Sequence, residues 1–289
     1  MQALREAGLN AVFADISPSN LHILQDETID VFFPALHGKF GEDGQLQQIL
    51  EDHCLVYTGS GPAASALAFD KIASKKIFAH AGIAAPAAVE FKHDTDIQKL
   101  TKKIQQLGDR YVIKPVREGS SVGISRAAGV EDAIIAAQKT LRRFGDCMIE
   151  EFIPGREVTV GVLCDKPLPI IEIKSPNSFY DYQAKYVDGQ TEYLFDTIED
   201  EVVTAQIFSA AMKSFELLGC RHFARVDLIL DADNRPNILE VNTIPGFTSH
   251  SLLPKAAEKA GLPMSRLCAK IVEAALIKPI KESLSPTVK

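Results

Sequence analysis

The chain has 289 residues, 46% of them hydrophobic and 24% charged, with a formal net charge of −7 and a sequence pI near 5.6. That is ordinary globular composition, long enough for about two or three domains, and it excludes a disordered or collagen-like chain. The acidic balance argues against nucleic-acid or anionic-membrane partners, and no apolar run is long enough for a transmembrane helix.

The first stretch, 1–67, reads as α/β. Gln2–Ala7 is helical, Ala11–Ile16 and Val31–Leu36 are short apolar strands, Gly44–His53 is helical and Val56–Tyr57 is a further short strand. A glycine turn at Gly59–Gly61 opens a helix running toward Lys76. The second unit, 68–155, holds helices over Asp70–Ala81, Asp96–Leu107 and Glu131–Phe144. Its strands are Arg110–Lys114, Val122–Arg126 and Cys147–Phe152. The third unit, 156–289, opens with antiparallel strands Glu157–Leu163 and Leu168–Lys174 and a long loop from 175 to about 197. Helix Ala205–Leu218, a hairpin over Arg225–Asn242, helix Met264–Leu276 and a loose tail from 278 complete it. Five scattered cysteines with no Cys-x-x-Cys pair, and an N-terminus unlike a signal peptide, suit reduced thiols in the cytoplasm.

The hairpin carries the most chemistry. Centring its turn between Asp233 and Asn234 sets Glu240 opposite Asp227 and Asn242 opposite Arg225. Alternation then puts these four side chains on one face, with Val226, Leu228, Leu239 and Val241 on the other. Clustered hard oxygen donors suit Mg²⁺ held with phosphates, and the neighbouring arginine suits charge developing in a reaction. A solvated polar face is the competing account of these residues alone.

Lys114 ends a strand before the small-residue loop Gly119-Ser120-Ser121, a loop that lets backbone N–H groups approach phosphate. It is no Walker loop, and the absence of His-Arg-Asp and Asp-Phe-Gly motifs sets aside a protein kinase. Glu150, Glu151 and Glu157 flank a Pro-Gly turn, either as a nucleoside pocket or as a solvent-facing acidic turn. Lys185 sits among aromatics in the long loop, where a closing lid could carry it to a terminal phosphate. The run from Asn242 through Gly246 to Ser251 offers backbone donors and hydroxyls, as an oxyanion pocket, as a helix cap or as both. His37 ends a strand before a glycine-rich turn, where α/β units tend to bind ligands.

Taken in order from 36 to 270, these segments closely resemble the D-alanine–D-alanine ligase family of the ATP-grasp superfamily. The resemblance rests on Leu36-His37-Gly38 with Gly41-Glu-Asp-Gly44, Tyr57-Thr-Gly-Ser-Gly61, Asp70-Lys71, Lys114-Pro115 with Glu118-Gly-Ser-Ser-Val-Gly123, and Phe179-Tyr-Asp-Tyr182 with Ala184-Lys-Tyr186. It continues through Arg225-Val-Asp227, Glu240-Val-Asn-Thr243, Pro245-Gly246 and Thr248-Ser-His-Ser-Leu252. It implies an ATP-grasp fold with a small, incomplete N-terminal α/β domain and ATP held between the central and C-terminal domains. Lys71 and Lys114 would bind ATP phosphates, and Lys185 the γ-phosphate. Glu150, Glu151, Ile153 and Glu157 would line the adenosine pocket. Asp227, Glu240 and Asn242 would bind two Mg²⁺, with Mn²⁺ able to substitute. Arg225 and Gly246 would steady the tetrahedral intermediate, Ser251 and Leu252 would receive the second substrate's carboxylate, and His37 would stand at the substrate. Ser120 and Tyr186 would latch the glycine loop to the lid.

The implied activity joins two D-alanines at the cost of ATP, for peptidoglycan synthesis, in a cytoplasmic homodimer. D-serine, D-lactate or another acceptor is the alternative, as is a nucleotide-binding remnant with little activity. Two departures stand out. Phe195-Asp196 replaces a usual Pro-Ala pair, and the chain starts after the family's first strand, glycine-rich loop and glutamate. The second departure implies Mg²⁺–ATP binding with a weakened first D-alanine site and an N-terminal sheet lacking its leading strand.

Overall fold

The computed structural model describes residues 1–174 and 191–277. In the N-terminal stretch the helices are α1 (Gln2–Glu6), α2 (Gln45–Asp52), α3 (Pro62–Phe69) and α4 (Lys71–His80). The single helix expected from Pro62 toward Lys76 is two. Asp70 ends α3 in an extended conformation and caps α4, accepting from Ala73 N at 2.9 Å.

The expected strands at Ala11–Ile16 and Val31–Leu36 do not form. What remains is one parallel bridge, Phe32 to Tyr57, and one turn bridge, Ser17 to Asn20. Their β-rich composition is real, but a strand is stable only with neighbours along its length, and among the described residues the pairing stops at these single bridges. Leu24, Phe40, Leu46, Leu50 and Tyr57 make a small core there instead, while Val12 and Phe13 stay exposed.

Next comes a four-stranded antiparallel sheet. Its strands are β1 (Ala88–Phe91), β2 (Arg110–Pro115), β3 (Ser125–Ala128) and β4 (Cys147–Glu151), in the spatial order β1-β4-β2-β3. Helices α5 (Ile97–Gln105) and α6 (Val130–Phe144) cover one face, burying Leu100, Ile104, Ala133 and Ala137 against Tyr111, Ile113, Cys147 and Ile149. Alternation turns Lys114, Met148 and Glu150 to the opposite face.

The second sheet is larger. It comprises β5 (Arg156–Leu163), β6 (Lys166–Pro167), β7 (Ile171–Lys174), β8 (Glu192–Leu194), β9 (Phe223–Leu230) and β10 (Pro236–Asn242), ordered β10-β9-β5-β7-β8 with β6 on β5. The strand β8 lies where a loop was expected and pairs with β7. One face buries Val158, Val160, Val162, Val226, Leu228 and Leu230 under α7 (Glu201–Leu217), together with Ala68 of α3 and Phe78 of α4. On the other face sit α8 (Leu252–Lys259) and α9 (Met264–Leu276), and α1 packs against α9. Gly161 lets α8 come close, because a Cβ there would lie 2.7 Å from Leu253 Cδ1.

The N-terminal stretch is fastened to the root of β9. Gly59 N donates to His222 Nδ1 at 3.1 Å, Arg221 Nε donates to Gly59 O at 3.0 Å, and Arg221 lies over the Tyr57 ring. Burial, helped by the charge of Arg221, pulls the His222 imidazole down to about 4.

Candidate active site

The hairpin has the expected register where the chemistry lies. Glu240 pairs with Asp227 and Asn242 with Arg225. Nearer the turn, Ile238 pairs with Leu228, so the register shifts by one and Leu239 is the extra residue of a β-bulge. The core face is therefore Val226, Leu228, Ile238 and Val241; Leu239, expected there, gives its place to the fully buried Ile238.

Each hairpin donor has a partner. Asp227, 5% exposed, takes two bonds from Arg225 (Nε–Oδ1 2.8 Å, Nη2–Oδ2 2.7 Å) and a third from the Thr159 hydroxyl at 2.6 Å. Glu240 Oε2 stands 3.2 Å from Lys71 Nζ, and Asn242 Oδ1 accepts from Ile244 N at 3.0 Å. Among the described residues no three His, Cys, Asp or Glu side chains converge as a metal cage. The donor set here is two carboxylates and an amide oxygen on one strand-pair face, which fits a hard divalent cation. Lys71 and Arg225 balance that negative charge.

The glycine–serine loop is pinned at its root. Lys71 Nζ donates to Glu118 O at 2.6 Å, and Arg117 makes bonds of 2.9 and 2.6 Å to Asp70 Oδ2. Ser120 and Ser121 hold φ of 52° and 59°. Gly123, at φ 73°, leaves no room for a side chain against the Phe144 ring.

Behind the loop, Glu150 is 1% exposed and lies between two buried lysines, Lys114 Nζ at 2.9 Å and Lys75 Nζ at 3.3 Å. The Lys75 contact is an ion pair outside hydrogen-bond alignment. Lys75 also donates to Pro86 O at 2.8 Å. Burial pulls its ammonium below the ordinary range, with Glu150 opposing. Glu151 accepts from Ala87 N at 3.3 Å, Ile153 lies in the crossover from β4 to β5, and Glu157 is the second residue of β5.

A cleft of about 390 Å³ gathers many of the expected residues. His37, Lys71 and Ser120 line it from one side, Arg225, Glu240 and Asn242 from the hairpin, and Gly246, Ser251 and Leu252 from beyond. Lys114, Glu150, Glu151, Ile153, Glu157 and Asp227 are not part of its wall. Lys185 and Tyr186 lie outside the described residues. The Ser251 hydroxyl makes no cap on α8; it bonds Thr248 N (3.1 Å) and Thr248 Oγ1 (2.9 Å) across the turn. His37 Nδ1 is 3.7 Å from Glu42, whose carboxylate raises the imidazole pKa against burial and the charge of Arg225.

Sequence reasoning missed Lys75, Glu42 and Thr159, and Tyr193, which lines the cleft. For Lys75 a signal existed, since it follows Lys71 by four residues on one helix and so shares its face. Thr159 had none, because nothing local links it to a carboxylate on β9.

A phosphate-type loop and Lys114 from a four-stranded sheet, with Lys71 of α4 beside an acidic hairpin of a six-stranded one, make up the arrangement of the ATP-grasp class of fold. Comparison with known proteins narrows the class. The family descriptions "D-ala D-ala ligase N-terminus" and "D-ala D-ala ligase C-terminus" match residues 12–60 and 77–273. The D-alanine–D-alanine ligase of Bordetella petrii is 40% identical over 281 residues, covering 96% of this chain and 85% of that one. That of Aromatoleum aromaticum is 41% identical over 274 residues, covering 94% and 87%. Among solved structures, the Bacillus anthracis D-alanine–D-alanine ligase complexed with ATP superposes with a TM-score of 0.78 at 31% identity, covering 88% of this chain and 81% of that one. The VanG D-Ala:D-Ser ligase of Enterococcus faecalis gives 0.76 at 34%, covering 86% and 73%. The chain belongs to the D-alanine–D-alanine ligase family.

Proposed function

We propose that this chain uses ATP to join two D-alanines into D-alanyl-D-alanine, releasing ADP and phosphate, for peptidoglycan synthesis. The observation that carries the reading is the cross-strand set Arg225, Asp227, Glu240 and Asn242 facing Lys71, which also holds the glycine–serine loop. The working frame is domains 1–67, 68–155 and 156–289, with ATP between the last two.

In this reading the first D-alanine carboxylate attacks the γ-phosphorus of ATP, the bond to ADP breaks, and an acyl phosphate forms. Lys71 and Lys114 hold phosphates, and the resemblance assigns Lys185 to the γ-phosphate and Tyr186 to Ser120. Asp227, Glu240 and Asn242 hold two Mg²⁺, which supply neutralisation of the phosphoryl charge. Glu151, Ile153 and Glu157 line the adenosine; Glu150 borders it through its backbone, its carboxylate staying between the lysines. His37, oriented by Glu42, stands at the amino-acid end. The second D-alanine, its carboxylate received at Ser251 and Leu252, attacks the acyl carbon through its amine. Arg225 and the Gly246 backbone meet the oxyanion, phosphate departs, and the amine gives up its proton. Five free cysteines and dependence on ATP support a cytoplasmic setting, and a homodimer, checked by sedimentation, completes the proposal.

The test is phosphate release from Mg²⁺–ATP with D-alanine, with L-alanine and with neither, and D-serine and D-lactate competing as acceptors. Release stimulated by D-alanine alone, with D-alanyl-D-alanine as the main product, is expected. Release indifferent to the amino acid would overturn the reading, and a mixed product would move it to another acceptor.

A further inference from the structure

Lys114 on β2 and Glu150 on β4 are brought to one face of the small sheet by strand alternation, and α4 lays Lys75 across that same face. All three groups are buried, and the contacts are Lys114–Glu150 at 2.9 Å and Lys75–Glu150 at 3.3 Å. Counting the groups in contact, two ammonium groups and one carboxylate leave a surplus of one positive charge in a place nearly closed to water, and Glu151 adds only a weaker pull on Lys75 from farther off. Such a surplus is costly to bury unless an anion completes it. Each ammonium has three donors, and Glu150 engages one of those of Lys114.

We propose that Lys75 is a positioning residue for the nucleotide: by sharing Glu150 with Lys114, it keeps Lys114 from being neutralised and holds its charge ready for phosphate. The inference rests on the ATP reading above and deepens it, since it names what sets the strength of that phosphate contact. Without Lys75, the whole carboxylate charge falls on Lys114, the buried pair becomes neutral, and phosphate must compete with Glu150. The competition acts equally on bound nucleotide and on the transition state, so it raises KM for ATP and leaves kcat alone.

The competing account is that Lys75 merely anchors the segment before β1 through its bond to Pro86 O. Two variants separate these accounts. Lys75→Met removes the ammonium; Lys75→Met/Glu150→Gln removes the carboxylate as well, and both lack the Pro86 bond. In the single variant KM for ATP is expected to rise about tenfold, the scale of one charged hydrogen bond. There kcat and KM for D-alanine should stay within about twofold. The double variant should return KM for ATP to within about threefold of the parent, because Lys114 is again unopposed. Should the single variant fail to fold, the double, which leaves no buried carboxylate short of a partner, is compared with the parent directly. An unchanged KM for ATP in the single variant, or a double variant no better than the single, or one about tenfold weaker than the parent, would overturn the proposal. Calorimetric titration of the same proteins with ATP keeps this inference separate from the ligase reading. A parent that binds ATP without releasing phosphate on D-alanine would sink the ligase reading, while the order of the affinities would still decide the role of Lys75.

Discussion

Glu240 and Asp227 are cross-strand neighbours in unlike surroundings. Glu240 borders the cleft beside Lys71, whereas Asp227 is buried and braced by Arg225 and Thr159. Glu240→Gln is expected to abolish phosphate release at every Mg²⁺ concentration, since an amide cannot serve two cations. Ordinary Mg²⁺ dependence with near-normal activity would remove the hairpin from the reaction. Asp227→Asn touches one ion and costs less turnover, but it removes the buried carboxylate that braces the partly buried Arg225 guanidinium. About 3 kcal/mol of stability should go with it, read as a lower urea midpoint than for Glu240→Gln. The hairpin face was legible because alternation and one turn are local facts. Which groups lean on that face was not: Thr159 comes from another strand, and Lys75 reveals its use only once the small sheet delivers Glu150 to α4.

Among the elements, the crossover from β4 to β5 joins the two sheets at Gly155, where a Cβ would overlap the Leu230 carbonyl oxygen. The obstacle is strand backbone and cannot swing aside. Gly155→Ala is therefore expected to cost about 3 kcal/mol or more in chemical denaturation, a small-to-large change with no room to relax. A loss below about 1 kcal/mol would mean that the two sheets are less rigidly joined than the contact implies. Elements with strong periodicity, such as α6 and β5, were plain in the sequence, since burial follows their spacing. The N-terminal strands were not, for composition announces a strand but never its neighbour. The bulge at Leu239 likewise leaves no mark in a run of apolar residues.

Across the whole molecule, His222 ties the N-terminal stretch to the large sheet by accepting from Gly59 N, which requires Nδ1 to be unprotonated. Its folded value of about 4 lies below the ordinary 6.5. On acidification the unfolded chain takes up this proton first and the folded chain only near 4, so stability falls through that window and is complete above it. His222→Asn keeps an acceptor and tolerates the φ of 63°, so its urea midpoint should fall less steeply between pH 6.5 and 4 than the parent's. Parallel slopes would show that His222 carries no such linkage. This tie could not be read beforehand, because it joins residues 163 positions apart. Close by, Phe33 of the N-terminal stretch packs edge-on to Phe247, 5.3 Å between ring centres, and Phe223 does the same. Phe247 follows Gly246, so this turn of the cleft is propped by a ring from the far end of the chain, while Lys114 stands on the separate small sheet. Gentle heating or a protease acting on the first sixty residues would thus blunt recognition of the amino acid before that of ATP. A protein failing in that order still grips its fuel after losing its grip on what the fuel is for, and saturating nucleotide would give its N-terminal stretch little shelter.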